Sequence, residues 1–223
     1  IVLTSLALLP AFAYASAPLP DIVKRFSEQQ NITIIKEVDA PGGLKSWVGQ
    51  YQDMGVNLFL TPDGKHVVSG YLYDDKGKNL SEGYFTQAIY VPMGQEMWKK
   101  LNAAHALKEG VETAPRKVFV FADPFCPYCK AFWAAAQPWV EAGHVQLNTL
   151  LVAFLNPKSG RNATAILNAP DPVAAWRDYE LSNGKKLPRF DGVTPRETFN
   201  LLQAHQKMMD DLGANATPAI YYM

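Results

Sequence analysis

The chain holds two cysteines in 223 residues, and both lie in one tetrapeptide, Cys126-Pro127-Tyr128-Cys129. A bridge between them would close so short a loop that it could restrict the unfolded chain very little. The pair is a poor staple and is better suited to chemistry. Thiol–disulfide exchange needs a thiolate as the attacking group. A helix that begins at the pair favours one, because unpaired backbone N–H groups and the positive end of the helix dipole face the sulfur. Cys126 falls at the expected N-cap and Pro127 at the first helical position, where its missing N–H costs nothing. The spacing therefore predicts Cys126 as an exposed nucleophile. Cys129, one turn further on and more buried, is expected to attack the mixed disulfide and release the partner. Half of a zinc site is the competing reading, but it needs a second ligand pair. His66, His105, His144 and His205 show no ligand spacing, so neither a metal nor any cofactor beyond the cysteine pair is expected.

The surrounding pattern supplies the elements that must hold this pair. Lys117–Ala122 reads as a continuous apolar strand of the kind covered on both faces, ended by Asp123-Pro124. A helix is expected from Pro127 towards Val140, kinked at Pro138 and closed by Gly143, with Val145–Ala153 as the next strand. That is a βαβ unit with the cysteines on its first βα turn. A helical insertion follows, including a helix over Asp171–Tyr179. Thr194-Pro195-Arg196-Glu197 then reads as a capping box, with Phe199, Leu202, Met209 and Leu212 lining one helix face and Gly213 as the stop. Thr217-Pro218 leads into the apolar strand Ala219–Met223. Such an x-Pro step, in the cis form, opens the corresponding strand of thioredoxin-like proteins beside the active-site disulfide.

The N-terminal part has a different rhythm. A helix over 18–30 carries Ile22, Val23 and Phe26, and Asn31–Val38 and Leu44–Tyr51 read as strands. Met54, Val56, Leu58 and Leu60 alternate along a third strand with Asn57 opposite. Pro62-Asp63-Gly64 turns the chain into a fourth strand over His66–Tyr73. Residues 94–109 are expected to be one helix, with Met97, Leu101 and Leu107 on it and Gly110 and Pro115 bracketing its end. The fold class is α+β: a small unit over residues 16–92, a linker helix within 93–114, and a second domain over 115–223.

Residues 1–13 are apolar apart from Thr4 and Ser5, and Ala13-Tyr14-Ala15 has the form of a signal-peptidase site. The run is short of the roughly 20 residues of a membrane span. The pattern predicts a partial signal peptide over 1–15, cleaved after Ala15, and hence export. Ala219–Met223 reads as a strand with no turn after it, so a C-terminal continuation is expected. The net charge of 0 provides no electrostatic footprint for nucleic acid, and none is expected as a partner.

Taken together, Phe121-Ala122-Asp123-Pro124-Phe125-Cys126-Pro127-Tyr128-Cys129-Lys130 and Thr217-Pro218-Ala219-Ile220 resemble the bacterial periplasmic disulfide isomerase family. The Pro-Tyr between the cysteines points to its DsbG branch. The likeness extends through 50–70, Met97-Trp98 and Met209-Asp210-Asp211-Leu212-Gly213. The resemblance implies a cystatin-like N-terminal dimerisation domain, a linker helix, and a thioredoxin-like domain carrying a helical insertion, here without its last strand and helix. It implies a periplasmic homodimer held reduced by a membrane reductase of the DsbD type. Its substrates would be periplasmic proteins with wrong disulfides or oxidised cysteines. Cys126 would be the nucleophile, Cys129 the resolving thiol, and Pro127, Tyr128, Thr217 and Pro218 the loops that face the substrate. Two other functions use the same features: a dithiol oxidase that donates its disulfide, and a holdase chaperone. The N-terminal domain argues against the first, which needs no dimerisation arm, and the cysteine pair argues against the second.

Overall fold

The computed structural model describes residues 18–223, so the leader and cleavage site expected over 1–15 lie outside the described residues. The described residues divide into two compact units, the first ending at Glu96 and the second spanning Met97–Met223. Helix α1 (Asp21–Gln29) begins the first unit. Strands β1 (Thr33–Asp39), β2 (Lys45–Tyr51), β3 (Met54–Leu60) and β4 (Val67–Gly70) follow as an antiparallel meander in that order. The turn at Gly64 needs a positive φ, +69°, which glycine adopts without a steric penalty. On one side of the sheet Val23 of α1 packs with Trp47 and Leu58.

The alternation expected of β3 is only partly realised. Met54 is 59% exposed, whereas Asn57 is fully buried. The reason is a second cover on the other face, where Val48 packs with Phe85 and Ile89. Those two residues lie on helix α2 (Ser81–Phe85) and on the π-helical stretch Thr86–Tyr90, which leads into helix α3 (Val91–Ala103).

In the second unit the helix expected to reach residue 109 stops at Ala103, and Leu107–Glu109 is strand β5 instead. Leu107 and Glu109 are buried and Lys108 is exposed. That period of two belongs to a strand, and the six-residue gap from Leu101 to Leu107 breaks the helical spacing. Strands β6 (Arg116–Ala122), β7 (Val145–Leu151) and β8 (Ala219–Tyr222) complete a mixed sheet of order β5-β7-β6-β8. Only the central pair, β6 and β7, is parallel. They are joined by helix α4 (Pro127–Glu141) as a βαβ unit, and α4 runs through Pro138 without interruption of its span.

Both faces of the sheet are covered, which explains the unbroken apolar run of β6. Phe119 and Phe121 face a cluster with Leu101, Leu150 and Met209. Val120 and Ala122 face the other, with Cys129, Trp133 and Leu147. Helices α5 (Ser159–Leu167) and α6 (Pro172–Leu181) form the insertion, and α7 (Arg196–Asp211) precedes β8. The start of α7 differs from the expected capping box. Pro195, not Thr194, is the N-cap, and no side chain caps the helix end. The Thr194 hydroxyl lies 3.2 Å from that of Thr164 instead. Phe199 is 54% exposed, outside the apolar face formed by Leu202 and Met209.

Candidate active site

Strand β6 ends at Ala122, and Asp123, Pro124 and Phe125 carry the chain to Cys126, the N-cap of α4. Cys126 has an extended backbone (φ −82°, ψ 112°), and its Sγ accepts the Cys129 N–H at 3.2 Å. Its own N–H bonds the Asp123 carbonyl at 2.9 Å. Pro127 occupies the first helical position. The Cys126 thiol donates to the Thr217 carbonyl at 3.3 Å, and the Thr217–Pro218 peptide bond is cis. From there Ala219 starts β8, which pairs antiparallel with β6. Two segments 91 residues apart in sequence thus meet at one sulfur atom.

Both cysteines are free thiols. Contrary to the expected exposure, Cys126 is buried, at 4%. As N-cap its side chain folds back over the helix end, and the Thr217 backbone lies against it. Cys129 is 2% exposed. Burial pushes the Cys129 thiol well up, and the adjacent Cys126 adds to that; the Asp123 backbone and the Thr217 hydroxyl pull the other way. Tyr128, between them, is 75% exposed.

A cleft of about 320 Å³ gives access to Cys126, with Phe125, Lys130, Tyr179 and Glu180 among its walls. The inserted helices supply much of it. The Tyr179 hydroxyl donates to the Pro124 carbonyl at 3.0 Å and accepts the Asn162 amide at 3.2 Å. Burial pushes this hydroxyl up; Asn162 opposes, while Glu180 and Asp123 add to the rise. The Lys130 ammonium donates to the Asn183 side-chain oxygen. Burial pushes the Glu180 carboxyl up to about 7, the Lys130 charge opposes, and Glu109 adds to the shift. Glu109 is itself pushed up by burial although it accepts the Trp133 indole N–H at 2.9 Å.

The structure therefore brings Cys126, Cys129 and Thr217 together, with Pro127 and Pro218 in the adjoining backbone. It adds Asp123, Lys130, Tyr179 and Glu180, which the sequence reading did not single out as site residues. Asp123 had a local signal, an Asp opening a turn three residues before Cys126. Tyr179 and Glu180 had none. Among the described residues no group of three or more His, Cys, Asp or Glu is placed to hold a metal. The arrangement can present a helix-capped sulfur through a cleft, with a second thiol one turn behind it.

Comparison with known proteins bears on the same point. The family model for the disulfide bond isomerase protein N-terminal domain matches residues 13–82. The thiol:disulfide interchange protein DsbG of Escherichia coli is 54% identical over 218 residues, covering 98% of this chain and 87% of that protein. The DsbG of Pseudomonas aeruginosa is 38% identical over 211 residues, covering 95% and 82% respectively. A solved structure described as Helicobacter pylori DsbG covers 91% of this chain and 99% of its own at 15% identity and a TM-score of 0.47. On the first two of these relatives, which match the chain nearly end to end, it belongs to the DsbG family of thiol:disulfide interchange proteins, thiol–disulfide oxidoreductases of the disulfide isomerase type.

Proposed function

We propose that the reduced pair gives electrons to other exported proteins, with Cys126 as nucleophile and Cys129 as resolving thiol. The observation that carries this reading is the inequality of the two sulfurs. Cys126 caps a helix with its sulfur and is among the residues lining the cleft, whereas burial pushes the Cys129 thiol up, which favours its protonated form. The Cys126 thiolate attacks one sulfur of a wrong disulfide; a Cys126–partner bond forms and the partner's other sulfur leaves as thiolate. On a sulfenic acid the same attack expels the hydroxyl, which leaves with a proton as water. Cys129 then gives up its proton and attacks the Cys126 sulfur. That step forms the Cys126–Cys129 disulfide and frees the partner thiol. If the partner's own thiol attacks first, a new partner disulfide forms and the dithiol is restored. Thr217 and Pro218 offer backbone beside Cys126 to an extended partner segment, and Pro127 and Tyr128 flank it. This chemistry asks for no cofactor beyond the two thiols.

The same reading makes residues 16–92 the dimerisation domain of a homodimer, 93–114 the linker and 115–223 the catalytic domain. It puts the protein in the periplasm after cleavage behind Ala15, with a membrane reductase of the DsbD type restoring the dithiol. The family match over 13–82 supports the first assignment. The direction of electron flow is tested by quenching cells in acid and alkylating free thiols. A mostly reduced Cys126–Cys129 pair is expected, and a mostly oxidised pair would replace this reading with a disulfide donor.

A further inference from the structure

The turn that carries Cys126 hangs from one side chain. Asp123 is fully buried, and its carboxyl oxygens take four donors. Oδ1 accepts the Phe125 N–H at 2.9 Å and the Ser159 hydroxyl at 2.7 Å. Oδ2 accepts the Phe154 and Leu155 N–H groups at 2.9 and 3.0 Å. Four donors on two oxygens suit a carboxylate, and a carboxyl proton would displace one of them. The backbone of the same residue bonds both cysteines, Cys126 at its amide and Cys129 at its thiol. Its carbonyl holds the Cys126 N–H, and its amide side favours the Cys129 thiolate. A fixed negative charge thus lies buried three residues before the nucleophile, where charges are weakly screened. Its effect extends to the cleft, where it helps to raise Tyr179.

We propose that Asp123 is a positioning residue with an electrostatic task. It ties the Cys126 turn to the loop entering α5, and its charge keeps the thiolate of the reduced pair from being over-stabilised, so that the pair remains an electron donor. The reason lies in competition at one sulfur. The helix end and its amides favour the thiolate, and a dithiol stabilised in that way makes its disulfide a strong oxidant. Asp123 opposes that pull while leaving the turn geometry intact. The inference goes beyond the exchange reaction but rests on Cys126 and Cys129 as its redox pair.

The test is the equilibrium of the full-length protein with glutathione. The dithiol and glutathione disulfide give the Cys126–Cys129 disulfide and two glutathione thiols; one disulfide forms as the other breaks, and two electrons and two protons pass to glutathione. Asp123→Asn removes the charge. The constant is expected to move about tenfold towards the dithiol, roughly 30 mV more oxidising, with a higher thiolate absorbance at fixed pH. Asp123→Glu keeps a charge in altered geometry and is expected to return the constant near its original value even if its melting temperature stays low. If both variants lose stability and the constant does not move, or moves only in step with melting, the role is structural and the proposal fails. Should Asp123→Asn not fold, the carboxyl-carbon NMR resonance of Asp123 in the unaltered protein takes its place. It is expected to shift on oxidation of the pair, and an identical resonance in both redox states overturns the proposal. No exchange at all in the unaltered protein would instead remove the cysteine assignment, and Asp123's role with it.

Discussion

Burying a carboxyl in the wall of the cleft makes stability depend on pH, and Glu180 shows which way. Burial raises its folded value to about 7, above the ordinary 4.5 of such a carboxyl. Between the two the folded chain holds a proton that the unfolded chain has lost. This contribution is fully present below 4.5 and is lost as pH rises through about 7. Glu180→Gln, which never ionises, should therefore gain stability over the unaltered chain on going from about pH 5 to about pH 8, by about 1–3 kcal/mol. Urea titrations at both pH values check this, and an equal effect at the two would contradict it. Tyr179→Phe should cost about 1–2 kcal/mol in the same assay, because it strands the Pro124 carbonyl and the Asn162 amide. The cysteines were legible in the sequence because they are only two and sit at a diagnostic spacing. Glu180 is one of 21 acidic residues; what distinguishes it is the docking of α6 over the cleft, a tertiary event that leaves no local mark.

Elements were legible where one periodicity dominated. The βαβ unit around the cysteines follows the sequence closely, since the β6 run, the Pro at the start of α4 and Gly143 each have one reading. The helical segment over 81–90 was not seen, although Phe85 and Ile89 sit four apart on it, because it is short and follows a turn. The expected helix over 94–109 holds only as far as Ala103, because the step from Leu101 to Leu107 leaves the helical period and hydrogen bonding to β7 makes Leu107–Glu109 a strand. Gly110 makes that edge possible. Its φ is +91°, and a Cβ there would stand 2.7 Å from the Val145 carbonyl oxygen. Gly110→Ala should destabilise the second unit by about 1–3 kcal/mol. Thermal unfolding measures it, and a neutral outcome would mean that the chain leaves β5 by another path. The N-cap of α7 shows the limit of motif reading, for a Thr-Pro-Arg-Glu string fits a capping box whether or not the Thr hydroxyl turns to the helix.

At the scale of the whole molecule, the division between Glu96 and Met97 separates a unit with no cysteine from the one that holds both. An N-terminal unit of that kind has a use if it joins two chains, each presenting its own dithiol. Sedimentation equilibrium of the exported chain should give twice the chain mass, and a single-chain mass at micromolar concentration would contradict the proposed homodimer. The central claim concerns the unequal sulfurs, and trapping tests it most directly. Cys129→Ala and Cys126→Ala variants are each mixed with a disulfide-bonded partner, quenched in acid, and mapped by peptide mass spectrometry. The account predicts a stable partner adduct on Cys126 in the first variant and almost none on Cys129 in the second. Adducts forming at comparable rates on Cys129 when Cys126 is absent would contradict it.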